Sequence, residues 1–347
     1  MKPVVRSIDV GYGNTKYVSG FDGDTIRCAH FASMAPNTER HGNVDVFGGK
    51  RKTIGLEIEG LVYEVGPEVH LAADIFQAKQ MHDNYCATSE YLALLRGALH
   101  YMKQDKIDLL VLGLPVATIK AKRSFLEKRM TGLHPLSRNQ SVQVNWVKVV
   151  PQPLGALMHY GFSNNCLTEV SRARNLVIDP GARTFDWLVS DGMKVMYKRS
   201  HSVNRGMIDV LSVIADGISK AENTQYRDYD RIDSALRNHK KPKVFGKEYD
   251  ISKHMPAARK ITEEAVFEML RFVGDGSDLD NIILVGGGAF FFKQAIKEAF
   301  PKHRVHEMGD ALFANVKGFQ IAGMQYAKDA ITPGVDGDHA LTTAAES

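Results

Sequence analysis

Val4–Tyr17, VVRSIDVGYGNTKY, is the stretch on which the reading of the chain turns. Val4-Val5-Arg6-Ser7-Ile8 has the β-branched character of a strand. The chain then turns on Asp9-Val10-Gly11-Tyr12-Gly13 and runs back out through Asn14-Thr15-Lys16-Tyr17. Two glycines so close together free the backbone from Cβ clashes, and their N–H groups can line one concavity suited to an anion. Asp9 stands at the strand end and Lys16 just after the turn. A carboxylate, bare amides and an ammonium are the groups a metal-bound polyphosphate requires. Taken alone, the stretch is equally a hairpin with a Gly-rich turn and a surface lysine.

A second copy changes that balance. Asn175–Arg199, NLVIDPGARTFDWLVSDGMKVMYKR, repeats the order of Ser7–Arg27, SIDVGYGNTKYVSGFDGDTIR. Each has an apolar strand ending in Ile-Asp-x-Gly, a short turn, an outgoing strand, an Asp-Gly turn and a third strand. Asp22-Gly23 and Asp191-Gly192 are pairs that close tight hairpins. Self-similarity in fixed order, present once, implies two related halves. Facing turns would set Asp9 and Asp179 on either side of one phosphate chain. In the second turn, Gly181 and Thr184 could donate to a terminal phosphate, and Asp179 could hold Mg²⁺ through waters. A turn-capping carboxylate is the plainer role for Asp179.

The 347 residues exceed one ordinary core and fit two domains. Hydrophobic residues at 44% and charged residues at 24% are those of a normal globular chain. A net charge of +4 is too weak to argue nucleic-acid binding. Cys28, Cys86 and Cys166 are too scattered for a metal knuckle or a disulfide framework. No apolar run has the length of a membrane helix, and Met1 leads into a charged strand, so a cytoplasmic protein with no membrane partner is expected.

Residues 33–60 have weak periodicity and read as a mobile excursion. Strands are expected at Leu61–Val65, Ile107–Leu114 and Ser141–Val150, at Leu279–Gly288 as a strand running into a glycine turn, and at Arg304–Glu307. Helices are expected after Thr88-Ser89, at Ile119–Met130, from Leu154, from Gly206, at Ile261–Val273, at Ala289–Phe300 and at Ala311–Ala327. Residues 219–247 suggest a lobe of short helices, and 331–347 a loose tail. Gly286, Gly287 and Gly288 follow a buried strand and would let a base or a phosphate approach the backbone, or simply form a flexible turn. Phe290, Phe291 and Phe292 are core by default, though one could flank a base. Gln152, between two prolines at a strand end, could orient an attacking water, and is otherwise a polar loop residue.

Five blocks, IDVGYGNTK, LLVLGLPVAT, VIDPGARTFD, IILVGGGAFF and ANVKGFQIAG, resemble the actin, Hsp70 and sugar-kinase superfamily in that superfamily's order. The resemblance covers residues 4–328. The Asp9, Gly11, Gly13, Lys16 spacing is similar to the actin version, whose lysine reaches the β- and γ-phosphates. GYGNTK, DPGxRTFD and ANVKGF look most like the ParM/StbA plasmid-segregation actins, with the PRTRC-system D proteins the nearest branch. The resemblance implies an α/β actin-like ATPase fold of two RNase-H-like lobes around a nucleotide cleft. Lobe I would span 1–165, lobe II 166–310 with a small subdomain at 219–260, and residues 311–330 would form a helix returning to lobe I. It implies Asp9 and Asp179 at hydrated Mg²⁺ and Gln152 at the attacking water. Gly11, Tyr12, Gly13, Asn14 and Lys16 would line one side of the ATP phosphates, and Gly181, Ala182, Arg183 and Thr184 the other. Gly206 and Asp209 would lie near the ribose, and Gly286–Gly288 with Phe291 beside the adenosine. Pro180 and Arg183 depart from the smaller residues common in the second turn; Arg183 could add a charge near the γ-phosphate or simply point to solvent. Gln152 stands where many relatives carry Glu. A glutamine cannot deprotonate water, so hydrolysis is expected to be slow.

The implied function is an ATPase that polymerises head to tail to separate plasmid copies, with a DNA-bound adaptor as partner and no direct sequence-specific DNA contact. Residues 33–60 and 219–247 are candidates for the filament contact. A small-molecule kinase is the alternative on the same fold. The GNTK string is similar to type III pantothenate kinases, but their first turn is shorter, and no zinc cluster of the compact glucokinase type is present. A nucleotide-gated module of plasmid maintenance that does not polymerise is the third possibility, because motifs report the pocket and not the assembly.

Overall fold

Alternating apolar strands that end in Asp-x-Gly turns build two sheets of one design. The computed structural model describes residues 2–22, 25–38, 51–72 and 84–331. The first sheet begins with β1 (Val5–Val10), β2 (Asn14–Asp22) and β3 (Thr25–Ala32), an antiparallel meander. A hairpin of β4 (Ile54–Ile58) and β5 (Leu61–Val65) follows, then α1 (Ser89–Met102), β6 (Lys106–Leu114), α2 (Ile119–Met130), β7 (Gly132–Ser137) and β8 (Gln140–Pro151). The strand order is β3-β2-β1-β6-β8-β7, with β1, β6 and β8 parallel. The second half runs α3 (Gln152–Ser163), α4 (Leu167–Val170), β9 (Arg174–Pro180), β10 (Phe185–Asp191), β11 (Lys194–Val195), β12 (His201–Val203) and α5 (Met207–Glu222). It continues through α6 (Tyr229–Arg237), β13 (Lys243–Val244), β14 (Lys247–Glu248), α7 (Met255–Val273), β15 (Asn281–Leu284), α8 (Ala289–Ala299), β16 (Val305–Glu307) and α9 (Ala314–Ile331). Its sheet order is β11-β10-β9-β15-β16, with β9, β15 and β16 parallel and β12 also pairing β10.

The two sheets therefore share a meander followed by parallel crossover strands, as the repeated turns predict. Each lobe has its own apolar core. Ile8, Leu95, Leu99, Leu110 and Leu112 lie in the first, and Trp187, Ile214, Met269, Ile282 and Phe292 in the second. Burying each such side chain stabilises the lobe by roughly 1.5–3 kcal/mol before entropy is counted. Thr88 caps α1, accepting from the Tyr91 amide at 3.2 Å.

Two helices join the lobes. α9 returns to the first sheet, where Phe319 and Ala327 pack on Val5, Leu109 and Val111. α3 covers the second sheet through Ala156 and Leu157 against Val177, Ile283 and Val285. The helices touch backbone to backbone: a Cβ on Gly318 would stand 1.6 Å from the Gly155 carbonyl oxygen. Polar bonds tie α9 to β1, from Ser7 Oγ to the Val316 carbonyl at 2.8 Å and from Gln320 Nε2 to the Val5 carbonyl at 3.0 Å.

The fold corrects several expectations. The C-terminal part of the supposed 33–60 excursion is β4, with Ile54, Leu56 and Ile58 buried; residues 39–50 lie outside the described residues. The edge strand β7 was not expected, because Pro135 interrupts its pattern; an edge strand tolerates proline, which lacks only a donor. α7 starts at Met255 rather than Ile261, with Pro256 in its first turn where its missing N–H costs nothing. Gln152 opens α3 rather than standing in a loop. The third strand of the second meander is only Lys194–Val195. The Asp191-Gly192 hairpin is present, pairing Asp191 with Lys194. Gly23 and residues 332–347 of the expected tail lie outside the described residues.

Candidate functional site

The two Asp-x-Gly turns are built alike. In the first, Gly11 N donates to the Asn14 carbonyl at 3.1 Å; in the second, Gly181 N donates to the Thr184 carbonyl at 2.8 Å. Strand pairing sets Asp9 opposite Lys16 and Asp179 opposite Asp186. Both turns open on one cleft between the lobes, lined by Asp9, Lys16, Gln152, Asp179, Asp186 and Asn315 among others. The cleft has a volume of about 1670 Å³, more than the 300–1,000 Å³ of ordinary ligand pockets, so it has room for a group of nucleotide size.

Its buried charges are held by named partners. Asp9 is 1% exposed; Lys16 Nζ donates to its Oδ2 at 2.9 Å and Gln152 Nε2 to its Oδ1 at 2.6 Å. Asp179 accepts from Asn315 Nδ2 of α9 at 2.7 Å. Burial pushes the Asp179 carboxyl up to about 7, with the Asn315 amide pulling the other way. Asp186 accepts from the Ser202 hydroxyl and, across the cleft, from the Val116 amide at 3.2 Å. Burial raises its carboxyl too, against those hydrogen bonds. For Asp179, the folded chain holds a proton that the unfolded chain releases near the ordinary carboxylate value of 3.8. This one group therefore destabilises the ligand-free protein progressively as pH rises from about 4 to about 7.

Gly286 shows how tightly Asp179 is packed. Its φ is +84°, and a Cβ there would lie 2.1 Å from Asp179 Oδ1. Only glycine gives both the left-handed backbone and the space.

The residues expected at the site divide. Gly11, Tyr12, Gly13, Asn14, Lys16, Gly181, Ala182, Thr184, Gly286 and Gly287 line the cleft with Asp9, Gln152 and Asp179. Arg183, Gly206, Asp209, Gly288 and Phe291 do not. Asp209 is spent on its own helix, accepting from the Gly206 amide at 2.9 Å as α5 begins. Gly206 lies against the back of the second turn, where a Cβ would meet the Ala182 carbonyl at 2.5 Å. Gly288 donates its amide to the Pro180 carbonyl at 2.8 Å. Phe291 packs on the core of the second lobe, while Phe290 faces the cleft with Arg237 4.4 Å over its ring.

Three site residues carried no expected role. Asp186 could have been found by aligning the turns, since it takes the place of Lys16 in the second copy. Ser202 had no local signal, and Asn315 stood in the ANVKGF block with no role attached to it; the return of α9 brings it to Asp179.

Hard oxygen donors suit Mg²⁺, which keeps much of its water shell. Asp9 and Asp179 fit such a hydrated ion. Among the described residues no cluster of three or more His, Cys, Asp or Glu side chains could hold a metal directly, so waters and phosphate oxygens would complete the shell.

The family profile described as "Actin like proteins N terminal domain" matches residues 7–155, and that of the "Archaeal actin homologue MreB-like, C-terminal" matches residues 177–298. The chain has the actin-like fold. Among solved structures, an archaeal actin homologue, Ta0583, shares 22% identity, with 93% of this chain and 99% of that chain covered and a TM-score of 0.74. The same homologue solved in complex with ADP gives 20% identity, the same coverage and a TM-score of 0.73. A ParM from a 15-stranded Clostridium botulinum filament gives 18% identity, 94% and 100% coverage and a TM-score of 0.71. Likeness at this identity establishes the actin-like fold. No functionally curated protein matches the sequence. No helix among the described residues is long and apolar enough to cross a membrane.

Proposed function

We propose that this actin-like protein binds Mg²⁺·ATP in the interlobe cleft, hydrolyses it slowly, and forms head-to-tail filaments that move plasmid DNA in the cytoplasm through a DNA-bound adaptor. The observation that carries the proposal is the pair of like turns, Asp9–Lys16 and Asp179–Asp186, opening on one cleft. Within the fold, GYGNTK, DPGARTFD and ANVKGF favour the ParM/StbA type and its PRTRC D-protein branch. Polymerisation is supported by the filament structure of the ParM relative, and heterologous contacts that do not close make fibres.

Mg²⁺ would supply charge neutralisation at the β- and γ-phosphates. Lys16 and the amides of the two turns would hold the phosphates. Gln152 commits its nitrogen to Asp9 and has its oxygen to offer an attacking water. A glutamine orients that water without taking its proton, which fits a slow clock for filament turnover.

The pH response follows from Asp179. A proton on its carboxyl competes with the hydrated ion, so Mg²⁺·ADP affinity is expected to fall by about tenfold per pH unit below about 7 and to level off above it. Calorimetric titrations from pH 5.5 to 8.5 measure this, and Asp179→Asn is expected to flatten the profile at a lower affinity.

Sedimentation and electron microscopy with ATP, with ADP and with neither test the assembly. Filaments that pellet with ATP and disperse with ADP are expected. A chain that binds ATP but stays in the supernatant is a nucleotide-gated module instead. ATP-dependent phosphorylation of a sugar or of pantothenate, faster than water attack, would make it a kinase.

A further inference from the structure

Arg183 carries a charge at the phosphate end of the cleft without lining it. Its guanidinium carbon lies 5.1 Å from the centre of the Tyr12 ring, which belongs to the turn of the opposite lobe. Its Nε donates to Asn204 Oδ1 at 3.3 Å, and its buried Nη1 has no hydrogen-bond partner among the described residues. The guanidinium is thus engaged chiefly through its flat face. Tyr12 is fixed from behind: it stacks on Tyr85 with centroids 5.0 Å apart at 19°, and Tyr85 meets Tyr91 edge-on at 5.2 Å. Tyr85 and Tyr91 are buried, so Tyr12 cannot follow a retreating Arg183 without leaving its stack. The next residues also meet, since a Cβ on Gly13 would lie 3.0 Å from the Ala182 Cβ. Consecutive residues of one turn, Tyr12-Gly13, face consecutive residues of the other, Ala182-Arg183.

We propose that Arg183 and Tyr12 form a clasp that holds the lobes together at the phosphate end and sets the rate of nucleotide exchange. Arg183 is then a positioning residue and not a phosphate ligand. The proposal rests on the cleft being a nucleotide site. A partly desolvated cation–π contact with a planar guanidinium changes an equilibrium by about three- to thirtyfold. A clasp resists opening whatever lies inside, so its loss speeds the release of diphosphate and triphosphate alike. Loss of a direct phosphate ligand would weaken the triphosphate more.

Stopped-flow release of N-methylanthraniloyl-ADP and -ATP from the full chain separates these cases. Arg183→Ala and Tyr12→Leu are each expected to release both nucleotides about three- to thirtyfold faster, and the double variant no faster than the faster single one. Arg183→Lys, which keeps the charge and disturbs folding least, is expected to accelerate release as well, because an ammonium has no flat face. Acceleration of the ATP analogue alone, single effects that multiply in the double variant, or unchanged release would overturn the clasp. If the wild-type chain binds neither nucleotide, it is the function of the cleft that fails. Hydrogen exchange of the ligand-free chain still tests the clasp: residues 11–17 and 181–187 are expected to exchange faster in both single variants, and unchanged exchange would refute it.

Discussion

Lys16→Ala is expected to weaken ATP binding about a hundredfold while leaving a folded chain. The Lys16 ammonium is 15% exposed and lies 2.9 Å from the Asp9 carboxylate, itself 1% exposed. A charge-assisted contact to a phosphate contributes about 1.5–3 kcal/mol. Without Lys16 that contact is lost and the Asp9 charge is left to repel the ligand, so a loss of about 3 kcal/mol, or about a hundredfold, in affinity is expected. In the variant, Asp9 would face a triphosphate with the Gln152 amide left to answer its charge. The attraction that gathers phosphates at the first turn would then become repulsion. Calorimetric titration of wild type and variant with Mg²⁺·ATP measures the difference, and equal affinities would remove Lys16 from the site.

Gly318→Ala is expected to be the most damaging small substitution, with a loss of about 3 kcal/mol or more. Its Cβ would lie 1.6 Å from the Gly155 carbonyl oxygen and 2.4 Å from the carbonyl carbon. Cβ is fixed to the backbone, so no rotamer relieves the clash. α3 and α9 would have to part by roughly 1.5–2 Å to restore an ordinary C···O contact. Overpacking of this kind costs about 1–3 kcal/mol, and more where backbone must move. The separation would also disturb Phe319 and Leu157, which pack on either side of the helix pair. Denaturant unfolding monitors the loss. Gly309→Ala is the comparison, since a Cβ there meets nothing within 4 Å among the described residues, and a change within about 0.5 kcal/mol is expected. A Gly318 variant as stable as the Gly309 one would mean that the helices do not touch in solution. These helices are the packed links between the lobes, so the Gly318 variant should also change nucleotide exchange.

Much of this architecture is legible in the residues because it is local and repeated. Ile-Asp-x-Gly at the end of each apolar strand announces both turns, and the alternation that follows announces both meanders. Asp9, Lys16 and Asp179 could be placed from these turns alone. Other features depend on contacts that no local pattern encodes. Asn315 reaches Asp179 across 136 positions of sequence, through a helix whose own pattern shows only that it is apolar on one side. Three consecutive phenylalanines cannot reveal which one faces the cleft, because each points a different way around α8; Phe290 does and Phe291 does not. The sequence leaves Arg183 either near the γ-phosphate or facing solvent. In the fold its side chain lies against Asn204 and the Tyr12 ring of the opposite turn. Asp209 likewise caps α5. The duplicated turns were thus readable from sequence, while the groups that tie one half to the other emerged only with the fold.

The most direct test is a crystal structure of the chain grown with ADP and Mg²⁺. The phosphates are expected between Gly11–Lys16 and Gly181–Thr184, with Lys16 drawn toward them and a hydrated ion beside Asp9 and Asp179. Nucleotide bound elsewhere, with the Lys16–Asp9 pair and the Asn315–Asp179 bond undisturbed, would contradict the account.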